Sequence, residues 1–513
     1  MMKPNISRRA FLAGGALSAS ALLLHSQAAA KQIHGSVSST SHAPVMPFNF
    51  PGLSYEVQQL VSPDFFSGAN AGLIHAFRDL APKGVLRIGG NTSEFAYWKP
   101  TADSPEPLHP VTREVTGEPR AQYYPVTPLA VRNLRDFLEA TNWTCIYGIG
   151  MGTNTPDRAA DEAEFVYKTL GQRLEYFQVG NEADLFSSHL RDPHTWSAEI
   201  WLQEWLALAQ AIAARVPHAQ FGIPDVASDL SWLTRIAQLW PSVNNAPRVV
   251  ILSHHYYFNG PATNPDVNIP NLLRRETMQR VAKSADLATA AAASMHLRVR
   301  MTEGNTCYRG GKPGLSDVFA SSLWAADYAL YLATRGYTGL NLHGGTGKSV
   351  ANSVGGVLPG DLMLKEAGAG EQEIASHPHP FYTPIATFGA DYRLQPVALG
   401  LKFASLLCGG RIALAGLDEA FALANVNASA YSAEMPSGQK ALLILNKDAD
   451  QDLQIHLEFP GLKDAVAEAK ILHATSLQSR EASISSVPGK QRIRNGRYTA
   501  QLPRASGICL LIA

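Results

Sequence analysis

From Phe48 onward the chain alternates short apolar runs with stretches of helical period. The apolar runs at 52–56, 85–90, 145–151, 174–180, 221–226, 249–257, 299–303 and 339–343 read as strands. Helical patterns separate most of them, at 128–141, 157–169, 198–215 and 316–335. Eight strands joined by crossovers predict an α/β protein, a (β/α)8 TIM barrel, with a doubly wound sheet as the competing architecture. Residues 346–384 break the rhythm: they are rich in Gly, Ser, His and Pro and show no clear period. A stretch of that kind inside a compact domain is usually functional or disordered. After about Pro396 the period changes to two, with strands expected at 420–425, 441–446, 453–459, 468–473, 497–502 and 507–512, a small antiparallel β-sandwich. The expected organisation is a leader at 1–30, a linker or N-terminal strand at 31–47, the barrel at 48–395 and the sandwich at 396–513.

The leader is a targeting signal. Ser7-Arg8-Arg9-Ala10-Phe11-Leu12 matches the twin-arginine pattern, an apolar run follows to Leu24, and Ala28-Ala29-Ala30 offers a small-residue cleavage site. The run is too short to span a membrane stably, and no later stretch is long enough either. These features predict a soluble periplasmic or secreted product. The chain carries 43 basic and 43 acidic residues. Loss of Lys3, Arg8 and Arg9 with the leader leaves 40 against 43, a net charge of about −3. That balance argues against a nucleic-acid partner, and it offers no general attraction for long sulfated polysaccharides. The four cysteines, Cys145, Cys307, Cys408 and Cys509, lack metal-ligand spacing and are expected as buried thiols, with Cys408–Cys509 the one pairing to check.

Two strands end in glutamate: Tyr176-Phe177-Gln178-Val179-Gly180-Asn181-Glu182, and Val299-Arg300-Met301-Thr302-Glu303. Barrel active sites are assembled from the C-terminal ends of the strands, so both carboxylates, on strands four and seven, would face one pocket. Glycoside hydrolysis with retention needs one protonated acid and one ionised nucleophile about 5–5.5 Å apart across the sugar. A lone strand-end Glu often caps a helix or pairs with an Arg. The two together, with Asn181 placed to bond the sugar 2-hydroxyl, point to a retaining glycosidase.

The chain resembles glycoside hydrolase family 79, the β-glucuronidase and heparanase group. The resemblance is carried by Leu86-Arg87-Ile88-Gly89-Gly90-Asn91-Thr92-Ser93-Glu94, Gln178–Glu182, Ser253-His254-His255-Tyr256-Tyr257, Thr302–Tyr308, Leu340–Gly345 and Phe381–Ile385. It spans roughly residues 48–513. The resemblance implies Glu182 as acid/base and Glu303 as nucleophile. It further implies that the Tyr308 hydroxyl and the backbone N–H groups at Gly310-Gly311 hold a glucuronate carboxylate. Tyr257 and Tyr382 are weaker candidates for that subsite, and Asn91, Asn181 and His343 would hold sugar hydroxyls. Arg309 departs from the pattern, and the sequence leaves open whether it adds charge recognition or faces solvent.

Of His254 and His255, neighbours on a strand, one should face the pocket, and His255 is favoured. Arg87 either orients the nucleophile or forms an ordinary buried ion pair. Gly344-Gly345-Thr346-Gly347-Lys348-Ser349 fails as a phosphate loop because Leu342 stands where its first glycine must be. Neither a cofactor nor a metal is implied. The expected activity is exo-β-glucuronidase action on oligosaccharide or aryl β-glucuronides. The rivals are an endo-acting, heparanase-like enzyme and a non-catalytic carbohydrate-binding protein on the same barrel.

Overall fold

The computed structural model describes residues 30–107, 115, 117–119, 122–389 and 391–513. The expected export signal lies outside the described residues up to position 29. Among the described residues, no helix is long and apolar enough to cross a membrane.

Eight parallel strands close into a barrel: β1 (Pro51–Glu56), β2 (Val85–Gly89), β3 (Thr144–Ile149), β4 (Leu174–Val179), β5 (Phe221–Val226), β6 (Val249–Asn259), β7 (Arg298–Cys307) and β8 (Tyr337–Gly344). They alternate with helices α1 (Ala71–Leu80), α2 (Pro128–Thr141), α3 (Pro156–Leu170), α4 (Ala198–Arg215), α5 (Ser231–Leu239), α6 (Arg275–Ser294), α7 (Phe319–Thr334) and α8 (Pro396–Ala404). Helices cover the outside and side chains fill the inside, so β1, β2 and β5 are buried at every position. Local chemistry marks the helix ends. At α2 the Thr127 hydroxyl accepts the Ala130 N–H, Pro128 opens the first turn, and Asn142 ends the helix at φ 60°.

The structure departs from the sequence expectations at several elements. Glu303 does not end its strand, which continues to Cys307. The ladder to β6 slips between Met301 and Glu303, and this bulge turns Thr302 and Glu303 both toward the barrel axis side chains. Residues 346–384 hold three short helices, Gly347–Ser353, Pro359–Glu366 and Glu371–Ala375, too brief to show a period. The segment Pro396–Ala404 is the last barrel helix. Its Gly400 lets the backbone pack directly on the Ser322 carbonyl of α7. The stretch at 420–425 is not a strand but part of a helix, Asp418–Leu423, with two acids in its first turn and Phe421 buried beneath it.

The sandwich begins at the strand Arg411–Leu414, and an unpredicted strand, Ala428–Glu434, follows. One sheet of the sandwich also takes in the N-terminal strand Lys31–Ser36, parallel to Leu453–Glu458. Ile33, Leu442, Ile444, Leu453 and Leu510 form its separate core. Lys447 of the sandwich reaches Asp327 of α7 at 2.6 Å, and Tyr431 donates to the same carboxylate at 2.6 Å. This buried contact joins the sandwich to helix α7 of the barrel. All four cysteines are free thiols; Cys145, Cys307 and Cys509 are buried and Cys408 is half-buried.

Candidate active site

The C-terminal rim of the barrel gathers six ionisable side chains from five strands, β2, β4, β6, β7 and β8. Glu303 lies on β7, 6 % exposed. Its Oε2 accepts Arg87 Nη1 of β2 at 2.8 Å and lies 3.5 Å from His343 Nδ1 of β8, while its Oε1 accepts the Tyr257 hydroxyl of β6 at 2.8 Å. Glu182 follows β4 after a two-residue turn and stands at φ 50°, a left-handed conformation uncommon for a side chain of its size. Its Oε1 lies 2.8 Å from His255 Nδ1 of β6. Carboxylate oxygens of Glu182 and Glu303 and a ring nitrogen of His255 all lie within 4.8 Å of one another.

A second layer supports this pair. Asp225, the next-to-last residue of β5, is fully buried at φ 62°. Its Oδ2 accepts Arg87 Nη2 at 2.5 Å, its Oδ1 accepts the Thr302 hydroxyl, and its main-chain oxygen accepts the Glu182 N–H at 2.9 Å. His255 Nε2 lies 3.0 Å from Asp225 Oδ1, close enough for an ion pair although not aligned as a hydrogen bond. Arg87 Nη2 also donates to Asn181 Oδ1 at 2.6 Å, and Asn181 Nδ2 donates to Asn91 Oδ1 at 2.8 Å. Glu56, the last residue of β1, receives the Thr92 N–H and hydroxyl and sits 3.3 Å from His343 Nε2.

These contacts set the charges. Burial pushes the Glu182 carboxyl up, the neighbouring Glu303 charge adds to that, and the His255 contact offsets only part, leaving it at about 7. Burial acts on Glu303 in the same direction. There His343, His255 and Arg87, with the Tyr257 hydrogen bond, overcome it and hold the carboxyl at about 2. Burial would also neutralise His255, but Asp225 and Glu303 raise it to about 10, so it is a cation. One member of the carboxylate pair is thus disposed to carry a proton near neutrality, and the other to remain ionised. Glu182, His255 and Glu303 have the number of ligands a metal requires. However, both ring nitrogens of His255 already face carboxylates, so a metal would have to displace one of them.

The other predicted residues fall in three groups. Asn91, Asn181, His255, Tyr257 and His343 belong to the network just described. Tyr382 stands beside it, its ring centroid 6.2 Å from Tyr257 and 5.8 Å from His343. Tyr308 is half-exposed, set perpendicular to Tyr257 at 6.4 Å. Gly310 and Gly311 are buried at φ 93° and 85°, and their N–H groups find no acceptor among the described residues. Side chains at either position would collide with Leu358 or Tyr382. Arg309 lays its guanidinium over Gly117, where its charge partly offsets the burial that raises the Glu118 carboxyl. His254 turns the other way, to the Tyr337 hydroxyl at 2.8 Å; burial lowers it to about 4 and keeps it neutral.

Sequence reasoning missed Asp225, Glu56 and Glu94. Asp225 and Glu56 are acids at the ends of barrel strands, so the rule that selected Glu182 and Glu303 would have flagged them as well.

No family model matches the chain. It is 24% identical over 327 residues to a β-glucuronidase of Aspergillus niger, covering 59% of each chain. It is 27% identical over 297 residues to a β-glucuronidase of Neurospora crassa, covering 52% of this chain and 50% of that one. The aligned stretches thus span little more than half the length of these relatives. Among solved structures, the fold matches a 4-O-α-L-rhamnosyl-β-D-glucuronidase from Fusarium oxysporum 12S. The TM-score is 0.68 at 16% identity, over 94% of this chain and 100% of the other. A GH51 arabinofuranosidase from Xanthomonas axonopodis pv. citri matches with a TM-score of 0.62 at 13% identity, covering 94% of this chain and 100% of that one.

Proposed function

We propose that this chain is a retaining exo-β-glucuronidase of glycoside hydrolase family 79. The observation that carries the proposal is that an oxygen of Glu182 and an oxygen of Glu303 lie within 4.8 Å, with one carboxyl raised and the other lowered. Inverting enzymes hold their carboxyls about 6.5–9.5 Å apart to admit a water, whereas retaining enzymes hold them at about 5–5.5 Å. Glu303, oriented by Arg87 and Tyr257, attacks the anomeric carbon. Glu182 gives its proton to the leaving oxygen, and as a carboxylate it then takes a proton from the water that releases the sugar.

Glucuronate differs from glucose by one carboxylate, so selection for it must come from donors around that anion. The buried N–H groups of Gly310 and Gly311, with no acceptor among the described residues, and the half-exposed Tyr308 beside Tyr257 supply them. The Arg309 charge is directed at Glu118 instead. The relatives named as β-glucuronidases agree with this choice.

Exo action is supported by the segment after β8. Val350, Val354 and Leu358 pack together with Tyr382 and Tyr257, Asn91 Nδ2 donates to the Ser353 carbonyl at 3.4 Å, and Gly355 meets Gly117. These contacts set the segment against Asn91, Tyr257 and Tyr382, and a wall there favours exo action, since an endo enzyme needs an open cleft. The twin-arginine pattern supports export to the periplasm or medium.

The test compares an aryl β-glucuronide with the matching β-glucoside. The wild type should prefer the glucuronide. Tyr308→Phe should lower kcat/KM for it by roughly ten- to a hundredfold, the worth of a hydrogen bond to a charged group, and affect the glucoside much less. A wild type that prefers the glucoside would sink the glucuronidase assignment. Equal losses would make Tyr308 a packing residue.

A further inference from the structure

Glu94 follows β2, just past the Gly-Gly-Asn turn, and is 2 % exposed. Burial pushes its carboxyl up; main-chain hydrogen bonds and, after them, the charge of Arg191 oppose this, and among the described residues no cation makes a direct ion pair with it. Its partners are main-chain donors. Oε1 accepts the Asn181 N–H at 2.7 Å, and Oε2 accepts the Met151 N–H at 2.9 Å and the Gly152 N–H as well. The Ser93 hydroxyl adds a weaker bond at 3.3 Å.

The location of these donors is what matters. The ladder between β3 and β4 ends at Ile149 and Val179, and the last main-chain bond between the two strands runs from Gly180 N to Ile149 O at 2.9 Å. One peptide further on, the chains separate. The Glu94 carboxylate bridges that gap, holding Met151 and Gly152 on one side and Asn181 on the other. Asn181 is the residue before Glu182, whose left-handed backbone costs free energy unless its surroundings hold it. The peptides are gripped in sequence: Glu94 takes the Asn181 N–H, and the Asp225 carbonyl takes the Glu182 N–H at 2.9 Å. With its oxygens committed to backbone, Glu94 has no direct part in bond making.

We propose that Glu94 is a positioning residue for the acid/base: its carboxylate clamps the Asn181 peptide to the end of β3 and so sets the turn from which Glu182 reaches the leaving-group oxygen. This rests on the glycosidase reading above, and the two can fail separately.

The test uses Glu94→Gln, which keeps shape but turns an NH2 group toward N–H donors. It is assayed on aryl β-glucuronides whose leaving phenols range from strongly to weakly acidic. Strongly acidic phenols depart without protonation, so only a misplaced acid penalises the weakly acidic ones selectively. The expected result is a loss of roughly 10- to 100-fold in kcat/KM on the weakly acidic phenols and of less than about threefold on a dinitrophenyl glucuronide. In a Glu182→Ala background, where there is no acid left to position, Glu94→Gln should cost nothing further. Glu94→Asp, which keeps the charge but shortens the reach, is read on the same series in case the amide variant does not fold. A uniform loss across the phenols, additive losses in the double variant, an unchanged enzyme, or failure of both variants to fold would each overturn the proposal. A wild type inert on every β-glucuronide would show instead that the functional reading itself is at fault.

Discussion

Glu303 and Glu182 are the same side chain on the same barrel rim, yet they sit in different surroundings. Around Glu303, Arg87, His343 and the Tyr257 hydroxyl converge from three strands onto two oxygens. Around Glu182 there is one ring nitrogen, the other donor contacts being made by its backbone. Burial presses both carboxyls toward the neutral form, so burial does not separate them. The number of cationic donors does, and it places one carboxyl at about 2 and the other at about 7. His255 belongs to both regions: its charge helps to hold Glu303 ionised, while its ring contacts Glu182. The lesson is that one residue type can be disposed to hold a proton at one position and to stay ionised at another by the partners that neighbouring strands deliver.

The comparison can be broken most severely at Glu303. Glu303→Ala removes the attacking atom, and hydrolysis should fall by about 10^5-fold while circular dichroism and melting stay near those of the wild type. A mechanism-based cyclitol epoxide or aziridine should label this residue in the wild type, as read by mass spectrometry; label on another carboxylate would reassign the nucleophile. Substitution at Glu182 should be more selective. Glu182→Ala should lose roughly 10^3-fold on substrates with poor leaving groups and far less on activated ones, and azide should restore turnover. Absence of both effects would mean that Glu182 is not the acid.

The smallest effect concerns titration. Glu182 must be protonated for the first step, so kcat/KM should decline as pH rises through about 7. Glu303 must be ionised, so the acid side should stay flat until pH approaches about 2 or the fold itself gives way. In Glu303→Gln the negative neighbour is gone, and the Glu182 carboxyl should titrate lower than in the wild type, as followed by carboxyl infrared or NMR signals. An unchanged or higher titration would mean that burial alone sets the acid.

Much of this was legible along the chain. The barrel was readable because each parallel strand carries a short apolar run and most helices an amphipathic stretch, both of which are local patterns. Helix α2 was bounded correctly because Pro128 and Asn142 carry its start and stop in their own chemistry. Glu182 and Glu303 were readable because a polar residue after an apolar run stands out, although neither is the last residue of its strand. The errors occurred where pattern and structure separate. A helix of seven or eight residues is too short to show a period, so the segment after β8 read as a loop. The stretch 420–425 read as a strand, but Asp418 and Glu419 just before it begin a helix.

What the sequence could not contain is convergence. That Arg87 of β2 and His343 of β8 meet Glu303, while Asp225 of β5 holds Arg87 and the Glu182 N–H, depends on the closure of the barrel and on the register of its ladders. The bulge between Met301 and Glu303 turns Thr302 and Glu303 toward that meeting point. Local sequence determined which segments are strands and which residues can carry charge. Only the closed barrel decided which charges stand side by side, and proximity in a buried site is what disposes one of two identical carboxyls to hold a proton and the other to stay ionised.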